Sequence, residues 1–303
     1  MLTLRAHHDG IDIAYQRFGT TGDPLLLVMG IASDMLYWHD DFCTALAQRG
    51  FQVVRFDNRD SGESTHLDWA GTPNSAWVFL HRDAAPYRLE DMADDAAAVC
   101  GAVGWESTHV VGHSMGGMIA QTLAITNPTR VRTWTCISST PALRLGRVKP
   151  VTMLRLLLAN PRVVTARPPR DATAAGEEMV RGQRVVGSPG YPRDETWLRW
   201  VGEAMYRRGG FDPASRARQT AAILASGDRR PALAALRMPT LVLHGQADPL
   251  IRCEAGHATA HAIPGARLAE LPGMGHDLPR ALWPSIIDHI RRIADEASAT
   301  EHS

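Results

Sequence analysis

Short continuous apolar runs recur in the first half and the last quarter of the chain, separated by stretches whose apolar residues follow helical spacing. Continuous runs are typical of strands buried on both faces, as in a parallel sheet. The stretches between them indicate amphipathic helices. The predicted strands are Leu25–Met29, Gln52–Phe56, His109–Gly112, Val131–Ser138, Thr240–His244 and Arg267–Leu271, and the predicted helices are Trp38–Arg49, Leu89–Val103, Met115–Thr126 and Trp283–Ala294.

Two further strands are predicted to open the chain, at Leu2–His7 and Ile11–Phe18. Asp9 and Gly10 between them form a residue pair typical of a tight turn, so these two strands would pair as a hairpin. From there on, strands alternate with helices, and such alternation favours parallel strands joined by helical crossovers. The pattern therefore predicts an α/β fold with a mostly parallel central sheet flanked by helices.

The region from residue 141 to residue 231 breaks this alternation. It contains helical patterns, such as Met153–Leu158 and Trp197–Met205, but no clear buried strand. We therefore predict a core formed by residues 1–140 and 232–303, and a helical cap formed by residues 141–231. A long loop over residues 63–86 carries Trp69 and Trp77, and loops of this length are often functional. We expect these tryptophans to line an apolar pocket together with the cap.

Composition narrows the class of protein. The chain has 303 residues, 45% of them hydrophobic and 21% charged, and its formal net charge is zero, which gives no sign of a nucleic-acid partner. The N-terminal segment lacks the pattern of a secretory signal, and no apolar stretch is long enough to span a bilayer. The four cysteines form no CxxC pair. We read them as reduced thiols, and expect a cytoplasmic protein that is a monomer or a homodimer and uses no cofactor and no metal.

A serine between glycines follows the strand His109–Gly112 and precedes the helix Met115–Thr126, in the order Gly112-His113-Ser114-Met115-Gly116. A strand-to-helix turn of this pattern exposes the serine hydroxyl above the sheet, at a helix N-terminus that favours negative charge. A glycine-rich helix start with an incidental serine is the alternative. The position between strand and helix predicts that Ser114 is a nucleophile.

A serine hydroxyl needs a base, and the base needs an orienting acid. Asp248 follows the strand Thr240–His244, and His276 follows the strand Arg267–Leu271 on a glycine-rich loop. This is the order nucleophile, acid, histidine that this kind of turn accompanies. Asp277 is a rival acid, but it adjoins His276 and cannot easily reach the Nδ1 atom. We therefore predict that His276 is the general base and Asp248 its orienting acid.

Two backbone N–H groups are needed to stabilise the oxyanion of a tetrahedral intermediate. Met115, directly after the nucleophile, supplies the first. The second is expected in the turn after the strand Leu25–Met29, where Gly30 permits close approach of the backbone and Ile31 carries the N–H group. The sequence thus predicts an oxyanion hole formed by Ile31 and Met115.

Other polar residues carry weaker signals. His257 and His261 have the i, i+4 spacing of a metal-binding pair, but no third ligand follows in a zinc pattern, so an exposed helix face is the preferred interpretation. His113 is interpreted as a packing residue. Asp57 and Arg59 are interpreted as an ion pair that braces a turn.

Four segments together resemble the capped α/β-hydrolases of the serine esterase type: Met29–Ile31, Phe56–Gly62, Gly112–Gly117 and Ala266–His276. Within that family they are similar to the polyketide-tailoring esterases of the aclacinomycin methylesterase type. The resemblance covers the predicted core, not the cap. It implies the α/β-hydrolase fold, a triad of Ser114, Asp248 and His276, and oxyanion donors at Ile31 and Met115.

The resemblance also implies the reaction class, a carboxylic-ester hydrolysis through an acyl-enzyme, on a methyl or small-alkyl ester of a bulky hydrophobic acid. A lactonase, a C–C hydrolase or a perhydrolase would use the same triad. A non-catalytic ligand receptor on a hydrolase scaffold is a further alternative, since fold and function can separate. The expected partner is in each case a small hydrophobic molecule such as an ester or a lactone.

Overall fold

The computed structural model describes residues 1–146, 148–159 and 167–301, without the side chains of the last two. Eight strands form one sheet in the order β1-β2-β4-β3-β5-β6-β7-β8. Pairing is antiparallel at β1–β2 and β2–β4 and parallel elsewhere. The strands are β1 (Leu4–His8), β2 (Ile11–Phe18), β3 (Asp23–Val28), β4 (Phe51–Phe56), β5 (Thr108–His113), β6 (Val131–Ile137), β7 (Thr240–Gly245) and β8 (Arg267–Leu271).

Helices connect the strands and cover the sheet. The predicted helices Leu89–Val103 and Met115–Thr126 are confirmed to the residue. The helices are α1 (Asp40–Gln48), α2 (Ser75–Leu80), α3 (Leu89–Val103), α4 (Met115–Thr126), α5 (Pro150–Ala159), α6 (Ala172–Val186), α7 (Glu195–Arg207), α8 (Pro213–Ala225), α9 (Arg230–Leu233), α10 (Glu254–Ala262) and α11 (Trp283–Glu301).

The predicted sheet is confirmed. The differences lie at element ends and in the predicted loop over residues 63–86, which contains the helix α2. The last helix continues to Glu301 and not only to Ala294. Its buried face explains the extension, because Ile286, Ile290 and Ala297 follow one another at helical spacing and are all buried. The opening hairpin turns at Asp9 and Gly10, whose φ angles of 47° and 78° suit the twist of a two-residue turn.

The core has two layers, one on each face of the sheet. On one face α3 and α4 bury residues such as Met92, Ala96 and Ile119 against Val110. On the other face α1 and α11 bury residues such as Phe42, Leu46, Ile286 and Ile290. Because both faces are covered, the central strands carry runs of consecutive buried apolar residues, such as Leu25–Val28, which is the pattern seen in the sequence. No helix in the described part of the chain is long and apolar enough to cross a membrane.

The helices α5 to α8 lie between β6 and β7, within the region predicted as a cap. Arg208, which follows α7, attaches this region to the core. Its guanidinium donates to Asp34 at 2.9 Å, to Asp57 at 2.6 Å and to Glu63 at 2.5 Å. The division into a core of residues 1–140 and 232–303 and a helical cap of residues 141–231 stays a prediction.

A second arginine makes a similar attachment from α8. Arg218 is almost fully buried and donates through two nitrogens to the Asp60 carboxylate, at 2.9 Å and 2.7 Å. The expected Asp57–Arg59 pair is wrong, because Arg59 instead forms a two-point ion pair with Asp95, at 2.6 Å and 2.9 Å. The turn after β4 is therefore braced by partners that lie far away in the sequence.

The Arg208 guanidinium faces three carboxyl groups, so this cluster has more acidic groups than basic ones. Burial, assisted by the neighbouring Asp57, raises the pKa of Asp34 from 3.8 to about 7. A raised pKa means that the folded protein holds a proton which the unfolded chain has released. This group therefore makes the free energy of unfolding fall as the pH rises from about 4 to about 7.

We expect Asp34→Asn to flatten this pH dependence, because asparagine is neutral throughout. Between pH 5 and pH 8 the wild type should lose more stability than the variant, by about 3 kcal/mol, because two pH units separate pH 5 from the folded-state pKa of about 7. Urea unfolding at the two pH values measures the difference. Equal losses in both proteins would mean that Asp34 is ionised across the whole range.

Candidate active site

Ser114 lies on the sharp turn between β5 and α4, with φ 57° and ψ −121°, a backbone conformation that costs energy in a non-glycine residue. The flanking glycines make the turn possible. A Cβ atom on Gly112 would lie 2.3 Å from the Gly116 carbonyl oxygen, and one on Gly116 would lie 2.0 Å from the Val28 carbonyl oxygen. The sequence pattern thus reflects a turn packed tightly against β3.

The structure brings Ser114, His276 and Asp248 into one hydrogen-bonded chain. The Nε2 atom of His276 lies 3.0 Å from the Ser114 Oγ atom, and its Nδ1 atom lies 2.7 Å from the Asp248 Oδ2 atom. All three residues are buried. Their separations in the sequence are 162 and 28 residues, so the fold alone assembles them.

Asp248 is held by the loop that follows β7. Its Oδ1 atom accepts from the backbone N–H groups of Leu250 and Ile251, at 2.8 Å and 2.9 Å. Burial opposes ionisation of this carboxyl group, but the nearby His276 and these hydrogen bonds outweigh it and hold the Asp248 pKa below its usual value. The carboxylate is therefore negative at neutral pH and aims one oxygen at the imidazole.

The loop that carries His276 packs against the end of α6. The His276 N–H group donates to the Val186 carbonyl oxygen at 2.8 Å, and the Gly275 N–H group donates to the Ser188 Oγ atom at 2.8 Å. Asp277 accepts a hydrogen bond from the same Ser188 hydroxyl, so it is turned away from the His276 Nδ1 atom. Asp277 is thus not placed to act as the orienting acid.

His113 was interpreted from the sequence as packing, and it is indeed buried, but it lies beside the other histidine of the site. The ring centroids of His113 and His276 are 5.0 Å apart, and His113 also contacts the His276 backbone. Burial lowers the His113 pKa to about 3, so its imidazole is neutral. It therefore adds no positive charge next to His276.

The predicted oxyanion donors lie on either side of the serine. A Cβ atom on Gly30 would lie 3.1 Å from the Ser114 Cβ atom, which shows how closely the turn after β3 approaches. Among the described residues, the N–H groups of Ile31 and Met115 have no hydrogen-bond acceptor. Both donors remain available to a substrate oxygen.

Gln219 is a residue of this site that sequence reasoning missed. It is fully buried on α8, and its Oε1 atom accepts from the Ala32 N–H group at 2.8 Å. Its Nε2 atom donates to the Arg59 carbonyl oxygen and the Ser61 Oγ atom. Gln219 thereby fixes Ala32, the residue after Ile31. The φ angle of Ala32 is 52°, a conformation that needs such support in a non-glycine residue. The one signal that could have found Gln219 is a polar residue on the buried face of a helix.

A cavity of about 760 Å³ opens onto the serine. Its wall is mostly apolar, and charged groups of both signs interrupt it. The expected contribution of Trp69 and Trp77 is wrong, because both are largely exposed and neither lines this cavity. The lining residues that surround Ser114 and His276 include Met29, Ile31, Tyr37, Leu156, Met179, Val186, Phe211 and Leu250, with Glu178, Asp212 and Arg216 among the charged ones.

A group of potential metal ligands lies outside the cavity. Within the described residues this group consists of Cys253, His257 and Glu270. His261, the other histidine of the i, i+4 pair, is not part of it. None of them lines the cavity of Ser114. This cluster therefore has no part in the hydrogen-bonded chain of the site.

Comparison with known proteins supplies the family. A profile of the α/β hydrolase fold matches residues 23–279. The rhodomycin D methylesterase DauP of Streptomyces sp. (strain C5) is 30% identical over 93% of this chain and 94% of its own length. A putative carbamate hydrolase, RutD of Azorhizobium caulinodans, is 29% identical over 94% of this chain and 95% of its own.

Solved structures agree on the fold. An enol-lactonase from Burkholderia xenovorans LB400 superposes with a TM-score of 0.69 at 20% identity, covering 96% of this chain and 99% of its own. A meta-cleavage product hydrolase from Pseudomonas fluorescens IP01 gives 0.73 at 18% identity, covering 97% and 98%. With a family profile that spans most of its length and a methylesterase similar to it almost from end to end, this chain belongs to the α/β-hydrolase family of enzymes.

Proposed function

We propose that the protein hydrolyses carboxylic esters through an acyl-enzyme formed on Ser114. The observation that carries the proposal is the hydrogen-bonded chain from Asp248 through His276 to the Ser114 Oγ atom, beside two N–H groups that have no acceptor among the described residues. The methylesterase similarity supports the same reaction class. This arrangement supplies a nucleophile, a base, an orienting acid and an oxyanion hole.

The first half of the reaction forms the acyl-enzyme. The Ser114 Oγ atom attacks the ester carbonyl carbon while its proton passes to the His276 Nε2 atom. The carbonyl oxygen becomes an oxyanion and accepts from the Ile31 and Met115 N–H groups. His276 then donates the proton to the leaving alkoxide, which departs as an alcohol. Asp248 stabilises the imidazolium between these steps.

The second half returns the enzyme to its starting state. A water molecule gives a proton to the His276 Nε2 atom and adds its oxygen to the acyl carbon. The second tetrahedral intermediate collapses, the carbon–oxygen bond to Ser114 breaks, and the proton returns to the serine. The net products are one carboxylic acid and one alcohol for each ester and water consumed.

The size and lining of the cavity support a bulky acid with a small alcohol. A volume of about 760 Å³ lies in the usual range for sites that enclose drug-sized ligands. The apolar lining suits a hydrophobic acyl group, and the curated relatives include rhodomycin D methylesterases. We therefore propose a methyl or small-alkyl ester of a bulky hydrophobic acid as substrate.

Cysteine usage supports a reducing compartment. All four cysteines are free thiols, three of them buried. We propose a cytoplasmic location on this basis.

A substrate panel tests the proposal. Methyl esters of large aromatic and polycyclic acids, p-nitrophenyl esters and lactones would be incubated with the wild type and with Ser114→Ala, and the products separated by chromatography. We expect turnover of the methyl esters by the wild type alone. Turnover of lactones only would change the substrate class and keep the nucleophile. Tight binding without multiple turnover would contradict the enzyme and favour a receptor.

A further inference from the structure

Three potential metal ligands meet on the surface next to the active-site loop. Cys253 directly precedes α10, His257 lies one helical turn later, and Glu270 lies on the neighbouring strand β8. The Cys253 Sγ atom is 3.6 Å from the Glu270 Oε2 atom, and the His257 Nε2 atom is 3.1 Å from the Glu270 Oε1 atom. One ligand atom from each residue can be chosen so that all three lie within 4.8 Å of one another.

We propose that Cys253, His257 and Glu270 bind a zinc ion, with water as the fourth ligand. Zinc bonds to sulfur at about 2.3 Å, and to nitrogen and carboxylate oxygen at about 2.0–2.2 Å. Around a tetrahedral ion these bond lengths separate neighbouring ligand atoms by roughly 3.3–3.7 Å. The separations of 3.6 Å and 3.1 Å are close to those values, but they end on the two different oxygen atoms of Glu270. A rotation of this carboxylate is therefore needed to present one oxygen to the ion.

The donor set selects the kind of metal. A thiolate and an imidazole are poor ligands for magnesium or calcium, which prefer oxygen. Together with one carboxylate they match zinc or a similar transition metal. The site is accessible from solvent, because the His257 side chain is 54% exposed and that of Glu270 is 33% exposed. An open position for water is therefore available.

Charge balance also favours the ion. Without metal, the Cys253 thiol donates its proton to a hydrogen bond with the Glu270 Oε2 atom, at 3.6 Å. Zinc binding replaces that proton: the S–H bond breaks, the Zn–S bond forms and the proton goes to solvent. The thiolate and the Glu270 carboxylate then carry two negative charges against the two positive charges of the ion.

Neighbouring groups hold the ligands in place. The Gln246 Nε2 atom donates to Glu270 Oε2 at 3.1 Å and orients the carboxylate, as outer groups of metal sites do. Cys253 is the N-cap residue of α10, so the start of that helix fixes its position. His261, one turn beyond His257 on the same helix, is not part of the cluster.

The position suggests what the ion would do. Ile251, two residues before Cys253, donates its N–H group to Asp248, and its carbonyl oxygen contacts the His244 Nε2 atom at 2.8 Å. An ion on Cys253 would tie this segment to β8. Because no ligand lines the cavity of Ser114, we infer a stabilising ion that takes no part in the hydrolysis.

Zinc binding by tag-free, metal-depleted protein tests the proposal, with a chromophoric zinc chelator as competitor. We expect one zinc ion per chain in the wild type, with affinity that rises between pH 6 and pH 8 as the proton is released. Cys253→Ser and His257→Gln should each weaken binding at least tenfold. His261→Gln is the matched control on the same helix and should bind as the wild type does.

Thiol reactivity gives an independent readout. Cys43, Cys100 and Cys136 are buried and Cys253 is partly exposed, so a disulfide reagent such as Ellman's reagent should modify one thiol in the native protein. Zinc should slow this modification more than tenfold in the wild type and not in His257→Gln. No stoichiometric binding by the wild type at micromolar zinc, or equal loss in His261→Gln, would overturn the proposal. Melting temperatures in EDTA would show that the variants are folded.

Discussion

Replacing Ser114 with alanine is expected to lower kcat for ester hydrolysis by about 10⁶-fold, because no other hydroxyl is hydrogen-bonded to the His276 Nε2 atom among the described residues. His276→Ala should cost about the same, since the nucleophile and its base act as a unit. Asp248→Asn should cost about 10⁴-fold, because the imidazole loses the partner that fixes its tautomer. Initial rates with a chromogenic ester measure all three.

Active-site labelling separates a chemical effect from a folding effect. A fluorophosphonate should add one label to the wild type, located on Ser114 by peptide mass spectrometry, and none to Ser114→Ala. Ser226→Ala is a suitable control, since among the described residues that hydroxyl bonds only the Ala222 carbonyl oxygen, one turn earlier at the end of α8. A label on another residue, or normal turnover by Ser114→Ala, would refute the proposed nucleophile. Unchanged melting temperatures would exclude unfolding as the cause.

The sheet was predictable because burial on two faces leaves a direct trace in the sequence. Leu25, Leu26, Leu27 and Val28 are all fully buried, and an uninterrupted apolar run is the simplest way to achieve that. The candidate site residues could be predicted in the same way, since each follows a strand and parallel strands end at one edge of the sheet. Position at strand ends thus connects the hydrophobic pattern to Ser114, Asp248 and His276.

The contacts between the cap region and the core could not be predicted in the same way. Arg208 and Arg218 contact carboxylates about 150 residues earlier in the chain, and no local pattern pairs one arginine with one acid at that distance. The same reason explains the wrong Asp57–Arg59 pair, which neighbours in sequence suggested. Trp69 and Trp77 were misplaced because an apolar side chain in a loop does not reveal which surface it faces.

These long-range contacts link the cap region to the chemistry. Gln219 supports the Ala32 turn beside Ile31, the proposed oxyanion donor, and it lies on α8 next to Arg218, which contacts Asp60. Helix α8 therefore joins the cavity wall, the turn that carries Ile31 and Ala32, and the loop after β4. A change that loosens α8 should alter both stability and the geometry around Ser114.

Arg218→Met is accordingly expected to be the most damaging substitution for stability, lowering the free energy of unfolding by about 3–5 kcal/mol. Methionine keeps much of the side-chain volume but leaves the Asp60 carboxylate buried without its cation. Among the described residues, the Tyr87 hydroxyl, the Ser215 hydroxyl and the Leu67 N–H group remain as donors to it. Urea unfolding would measure the loss. Arg207→Met at the end of α7 is the control, because its guanidinium forms only a solvent-exposed i, i+4 pair with Glu203 among the described residues and its loss should change stability by about 0.5 kcal/mol or less.

A double-mutant cycle then identifies the cause. Asp60 has a φ angle of 64°, a conformation that asparagine also tolerates, so Asp60→Asn removes the charge without straining the backbone. If the damage comes from an unpaired buried charge, Arg218→Met should cost much less in the Asp60→Asn background, with a coupling of at least about 1 kcal/mol. Additive losses would mean instead that Arg218 stabilises α8 through packing and its hydrogen bond to the Gly71 carbonyl oxygen. Coupling would establish that the buried ion pair between Arg218 and Asp60 ties α8 to the loop after β4.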